Sequence, residues 1–304
     1  MKRFSSITTT QLARICGVSQ GTVDRALHDR EGINPKTKER ILSVAREYEY
    51  VPCTNAPGGR SMLIGVVLYD LYNAFFSKLA MSLVEKAKAD GYSVIFLFSG
   101  KDAREEKSAL DYFNYIGVDG IVLFSCGSDS EEYKNYLHSI RRPIVTVGNR
   151  LFDLPHIGID DATAMYDLAS CMLSRVGEGE IQYFAPILKK KLHKDNAQYL
   201  RLSGFERAMR DHQRAYRIVY DEDALSANAA GIVCSTDHYV LRLLQVLGLS
   251  LAPRIAGFDN VISFGIDVDT VEYSTDSIAE ECMKFFLRRR YNPRISYSIV
   301  RKYK

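Results

Sequence analysis

The sequence predicts a small all-helical segment at the N-terminus followed by a larger α/β portion built as two doubly wound halves. Three observations predict it. Residues 8–27 read as two short helices about a tight turn. From Leu63 short apolar runs alternate with segments of helical period, and that alternation passes through four candidate strands by residue 147 and resumes at residue 180.

In the first helix, Thr8 with Gln11 three residues on forms a capping-box pattern, and Leu12, Ala13 and Cys16 share one face. Gly17 is placed to end the helix in a left-handed conformation that a side chain would oppose, and Ser19 is placed to cap a second helix. So short a turn predicts a helix-turn-helix, with small Ala13 at the crossing and Val18 and Val23 filling the space between the helices. The second helix then projects Gln20, Gly21, Asp24 and Arg25 outwards. Arg25 has the donors for a bidentate pair with guanine and Gln20 for a pair with adenine, as reading a DNA major groove requires. An ordinary helical hairpin with solvated Gln and Arg stays open on spacing alone. A third helix starts at Asn34 as cap with Pro35 in its first turn. Its stripe is Ile41, Val44, Ala45 and Tyr48, and it closes a domain ending near Pro52.

Thr8, Leu12-Ala13, Gly17-Val18-Ser19, Thr22-Val23, Arg25, Leu27, the run NPKTKERI at 34–41 and Tyr50-Val51-Pro52 stand in one register. On these residues the segment 1–52 resembles the DNA-binding headpiece of the LacI/GalR family of bacterial transcription regulators. The resemblance implies DNA contacts from Thr8, Ser19, Gln20, Gly21, Thr22, Asp24, Arg25, Asn34 and Lys36. The linker 53–62, CTNAPGGRSM, departs from the family. Relatives carry there a hinge helix whose Leu wedges into the minor groove, whereas this chain has Pro57, Gly58 and Gly59 and no such Leu. A weak or absent hinge helix and less central DNA kinking are expected.

Net charge is only +3, but residues 1–60 hold ten Lys or Arg against six Asp or Glu, an excess of four that leaves the remainder at −1. The basic excess sits with the helix-turn-helix, as binding to phosphates needs. The six cysteines, at 16, 53, 126, 171, 234 and 282, have no paired spacing, so neither a zinc site nor a disulfide framework is expected. The N-terminus lacks an apolar core of signal-peptide length and no apolar run is long enough to span a bilayer, which predicts a cytoplasmic protein without membrane contact.

Candidate strands of the first half are 63–69, 93–98, 120–124 and 144–147; those of the second are 180–185, 216–220, 230–235 and 254–258. Phe76, Leu79, Ala80, Leu83 and Ala87 keep helical spacing up to Gly91. Two Rossmann-like subdomains hold a ligand between the carboxyl ends of their strands. This part, 63–304, resembles the periplasmic-binding-protein-like effector domain of the same family. That likeness implies three passages between subdomains, near 159–161, 271–273 and 291–293. The first subdomain then takes 63–160 and 273–290, with a returning helix 276–290, and the second takes 161–272 and 291–304, with a closing strand 295–301. It also implies an effector site. Asn73 and Phe75 follow the first strand, with Phe76 more suited to the core; Asn149 and Arg150 follow the fourth, Arg150 forking onto adjacent hydroxyls. Asp160, Arg201, Asp237, Asp259 and Tyr273 complete a ring from both subdomains, with a helix-cap role open for Asp237. Asn149 replaces the usual Asp and Tyr273 the usual Gln, so a standard pentose is not assumed.

No nucleophile elbow, metal-ligand spacing or phosphate-cradling glycine loop is present, which argues against an enzyme and predicts no cofactor. The expected function is a ligand-responsive, sequence-specific DNA-binding repressor, a homodimer on pseudo-palindromic operator DNA that senses a sugar or related polyhydroxylated molecule. A cytosolic sugar sensor acting through a protein partner is the alternative.

Overall fold

The computed structural model describes residues 9–27, 30–48, 60–126, 129–189, 192–193, 195–226, 228–262 and 266–301. Thr8 and residues 53–59 of the linker lie outside these residues, and with them the expectations placed there.

Three helices form the N-terminal unit: α1 (Thr9–Ile15), α2 (Gln20–Leu27) and α3 (Pro35–Glu47). Their core is Leu12, Ala13, Cys16, Val23, Ala26, Ile41 and Ala45. The turn between α1 and α2 depends on Gly17, whose φ of 61° a side chain would resist. Ser19 caps α2, its Oγ accepting the Thr22 N–H at 3.2 Å. Asn34 caps α3 by accepting the Lys36 N–H at 3.0 Å, and Pro35 opens the helix without needing an N–H partner. Tyr48 departs from the predicted stripe. It follows the last helical residue and is exposed, because the helix has ended before its ring can turn inward.

The first α/β half runs β1 (Leu63–Leu68), α4 (Ala74–Ala89), β2 (Ser93–Phe98), α5 (Ala103–Ile116), β3 (Gly120–Leu123), α6 (Glu131–Ser139), β4 (Ile144–Val147) and β5 (His156–Ile157). Its strands pair in the order β2-β1-β3-β4-β5, every pairing parallel. Continuous apolar runs such as Leu63–Leu68 suit strands covered on both faces. The second half runs α7 (Asp161–Leu173), β6 (Ile181–Phe184), α8 (Ala197–Asp211), β7 (Tyr216–Val219), β8 (Gly231–Cys234), α9 (Asp237–Leu247), β9 (Ile255–Phe258), β10 (Asp269–Tyr273) and β11 (Tyr297–Val300), with α10 (Thr275–Phe286) lying between the last two in the chain but packed on the first half. Its sheet order is β11-β10-β9-β8-β6-β7, with β11 antiparallel to β10.

The chain crosses between the halves three times. After β5 it passes through Gly158 to α7. After β10 it returns, so that α10 packs on α4 with Ser82 Oγ hydrogen-bonded to Thr275 Oγ1 at 3.0 Å. It crosses last before β11, where the Gly158 N–H donates to Pro293 at 3.1 Å and the Ile295 N–H donates to Gly158 at 2.8 Å. The returning helix is shorter than the predicted 276–290 and ends at Phe286. β5, only two residues long, was not predicted, since so short a strand leaves no periodic signal.

Candidate functional site

The cleft between the two sheets encloses about 510 Å³. It lies at the carboxyl ends of parallel strands, where doubly wound sheets leave a crevice because successive crossovers diverge. Its two walls differ in chemistry.

The wall from the first half is aromatic. Asn73 caps α4 by accepting the Phe75 N–H at 3.0 Å, and this start of the helix turns Phe75 and Phe76 towards the cleft. Phe76 packs edge-on to Phe124 (centroids 4.8 Å apart) and to Tyr69 (5.6 Å), while Phe75 meets Tyr273 at 5.5 Å. The predicted division of labour between the two phenylalanines is therefore not kept: both are buried and both line the cavity. Asn73 lines it too, although its Oδ1 already serves as a cap.

The opposite wall is charged. Arg201 on α8 sits between two carboxylates, its Nε donating to Asp161 at 2.8 Å and its Nη2 to Asp259 at 3.4 Å. Nη1 donates to the Ser235 carbonyl at 2.8 Å, and the guanidinium plane lies 3.7 Å from the Phe258 ring centre. Burial opposes the Arg201 charge, but Asp259 and Asp161 outweigh it and hold its pKa above the ordinary value. Burial raises Asp161 against the pull of Arg201 and raises Asp259 to about 6. The Tyr273 hydroxyl donates to Asp259 at 2.8 Å. Asp259 has a φ of 103°, a backbone conformation that L residues rarely adopt, and such strain concentrates at binding sites.

Three predicted cleft residues stand elsewhere. Asp160 caps α7, accepting the Thr163 N–H at 3.1 Å, and it is the next residue, Asp161, that faces the cavity. Arg150 is exposed and not in the cavity wall, since Gly148 at φ 75° and buried Asn149 turn the chain so that 150 points out. Asp237 is fully buried under the wall, where it accepts from the Val261 N–H at 2.9 Å and the Thr270 hydroxyl at 3.0 Å. A Cβ on Gly257 would fall 2.0 Å from its Oδ1, so only glycine fits opposite. Burial lifts the Asp237 pKa to about 7, with Asp259 adding to the rise.

Asn149 joins the halves. Its Nδ2 donates to the Tyr69 hydroxyl and the Ser125 carbonyl, each at 2.8 Å, and its Oδ1 accepts the Ala197 N–H at the start of α8 at 3.1 Å. A second link runs from His193 Nε2 to Asp129 at 2.8 Å. Sequence reading missed Asp161, His193, Lys101 and Tyr69 as lining residues; they follow strand ends or helix starts, but nothing in their local pattern separates them from caps and loop residues.

On the recognition helix, Gly21 and Arg25 are exposed without a side-chain partner among the described residues. Gln20 donates to Thr10 and Asp24 pairs with Arg30 at 3.1 Å. Thr22 is tied to Ser19 (Oγ to Oγ1, 2.9 Å), and Lys36 is exposed beside its cap. Among the described residues no group of three His, Cys, Asp or Glu is arranged to hold a metal ion, and no helix is long and apolar enough to cross a membrane.

Comparison with known proteins agrees with this geometry. Residues 9–53 match the family described as bacterial regulatory proteins, lacI family, and residues 61–224 match that of periplasmic binding proteins and the sugar binding domain of the LacI family. The chain is 26% identical over 303 residues to the sucrose operon repressor of Pediococcus pentosaceus, covering 91% of this chain and 90% of that one. A LacI-family transcriptional regulator from Silicibacter pomeroyi superposes with a TM-score of 0.67 at 18% identity, covering 97% of this chain and 98% of that one. The lac repressor dimer bound to operator and the anti-inducer ONPF superposes with 0.65 at 18% identity, covering 98% of each. A helix-turn-helix joined to two largely parallel sheets around a cleft is thus shared along almost the whole chain, which belongs to the LacI family of bacterial transcription regulators.

Proposed function

We propose that this protein is a repressor that binds operator DNA through residues 1–52 and senses a sugar-like molecule in the cleft of residues 63–304. The observation that carries the reading is the cleft: one aromatic wall for the apolar face of a sugar ring, and one wall of Arg201, Asp161 and Asp259 for its hydroxyls. The effector contacts are Asn73, Phe75, Phe76, Asp161, Arg201, Asp259 and Tyr273. Arg25 and Gln20 read bases, while Ser19, Thr22, Asn34 and Lys36 position the backbone.

The chain works by binding, not catalysis, in the cytoplasm and as a homodimer, because one helix-turn-helix buries too little DNA surface to select a site alone. A dimer bound to operator among the structural neighbours supports that assembly. Ligand and operator are coupled only to the extent that the ligand prefers one cleft geometry over another. The relatives include a ribose operon repressor and catabolite control proteins, which supports a link to carbon metabolism.

The test is fluorescence anisotropy of the full-length protein on DNA from upstream of its own gene, with salt titrated and sugars added. Specific, salt-dependent binding that a sugar shifts supports the reading. Sugar binding without specific DNA binding would favour a sensor that acts through a protein partner.

A further inference from the structure

Resting on the sugar-responsive reading, the charge distribution around the cleft narrows the ligand. We infer that the cleft is built for a hydroxylated organic cation of the amino-sugar kind, its ammonium directed at Asp161 and Asp259 and its ring against Phe75 and Tyr273.

Arg201 is the one buried guanidinium among the described residues of the cavity wall, its three nitrogens engaged by Asp161, Asp259 and the Ser235 carbonyl, while the buried His193 imidazole is paired with Asp129. Two carboxyl groups share that buried guanidinium, with Arg150 acting more weakly on Asp161. Behind each wall lies another carboxyl group, fully buried and with no base as partner among the described residues. Asp237 is held by the Val261 N–H and the Thr270 hydroxyl. Glu106 is held by the Ser125 hydroxyl at 2.7 Å, the Cys126 N–H at 2.6 Å and the Tyr133 hydroxyl. Low-dielectric walls concentrate the field of such groups into the space between them, so the cavity attracts positive charge although the protein as a whole is basic.

At the mouth, burial lowers the pKa of His238 first, and Lys101 and Arg242 lower it further against the opposing pull of Asp70. The Gln198 Oε1 in the cavity wall is a buried acceptor without a donor among the described residues, which suits a ligand N–H or O–H. Burial is the first cause of the raised pKa values of Asp259 and Asp237, with a neighbouring acid adding to each, and a nearby cation would lower both. The rings of Phe75, Tyr273 and Phe124 line the cavity, and the Lys101 ammonium already stands 5.9 Å from the Tyr69 ring centre, so these aromatic groups suit an ammonium as well as a sugar's C–H groups. A phosphate beside Asp161 and Asp259 would meet carboxylates and an Arg201 already engaged by them, while Lys101 stands at the exposed rim of the cavity.

Isothermal titration of the full-length protein with matched pairs tests this: glucosamine against glucose, galactosamine against galactose, mannosamine against mannose, with N-acetylglucosamine and glucosamine 6-phosphate as further probes. At least one amine is expected to bind about tenfold tighter than its neutral parent, and acetylation is expected to remove the advantage. Glu106→Gln, or Asp237→Asn should the first variant fold poorly, is expected to lower the amine-to-neutral ratio by about threefold while leaving affinity for the neutral sugar in place. A loss of fold alone would not move that ratio. A neutral or phosphorylated sugar binding as well as the amine overturns the inference. Binding of none of these sugars overturns the sugar-responsive reading beneath it.

Discussion

Replacing Arg201 by Met removes the charge at the centre of the cleft while keeping an apolar stem over the Phe258 ring. The substitution leaves Asp161 and Asp259 buried, with only the Tyr273 hydroxyl, among the described residues, still donating to one of them. Breaking a buried ion pair by removing one partner costs about 3–5 kcal/mol, because the remaining charge stays desolvated. For a domain of this size that lowers Tm by roughly 6–20 °C.

The sign of the pH dependence is the sharper test. Burial already raises both carboxyl groups above the ordinary carboxylate range, Asp259 to about 6, and loss of Arg201 raises them further. A group whose folded pKa exceeds its unfolded value binds more protons when folded, so it destabilises the protein as pH rises through the window between the two. The deficit of Arg201→Met should therefore be large at about pH 7.5 and much smaller at about pH 5, where the two acids are neutral in the folded variant. Urea unfolding followed by circular dichroism at both pH values measures it. A deficit below about 1 kcal/mol at the higher pH, or one equal at both, would refute the view that two carboxylates depend on this guanidinium.

Asn149→Ala should expose the Ala197 N–H between the halves, costing about 1 kcal/mol of closure and speeding hydrogen exchange at that amide by about fivefold; unchanged exchange would mean the halves are held otherwise. Arg150→Ala should leave the ligand-induced thermal shift as in the unaltered protein, and a lost shift would return Arg150 to the cleft. Gly17→Ala should destabilise the N-terminal helices by about 1–2 kcal/mol, read as weaker operator binding and faster proteolysis of the headpiece, because its φ of 61° opposes a Cβ. Arg25→Ala should cost about 1–3 kcal/mol at one operator position and little on unrelated DNA; uniform loss on all DNA would make Arg25 a phosphate contact.

What the sequence determined by itself are the features in which a residue's role depends on its near neighbours. Gly17 between two helical stripes, Ser19 and Asn34 as caps, Pro35 in a first turn and the apolar runs at 63–68 and 231–234 each follow from local backbone sterics and hydrogen bonding. The three crossings followed from family likeness, since a passage between sheets joins residues far apart in sequence and leaves no period to read. The cleft chemistry was decided only by the tertiary structure, and two of the misses turn on neighbouring residues. Asp160 and Asp161 are both acids at a helix start, but successive helical residues point about 100° apart, so one caps α7 while the other meets Arg201. Asn149 and Arg150 differ in the same way beyond β4, and Asp237 was drawn under the wall by the gap that Gly257 leaves. A sequence states which side chains stand near a strand end. Which of them faces the cavity depends on the rotation of each helix against a sheet whose strands come from the whole chain.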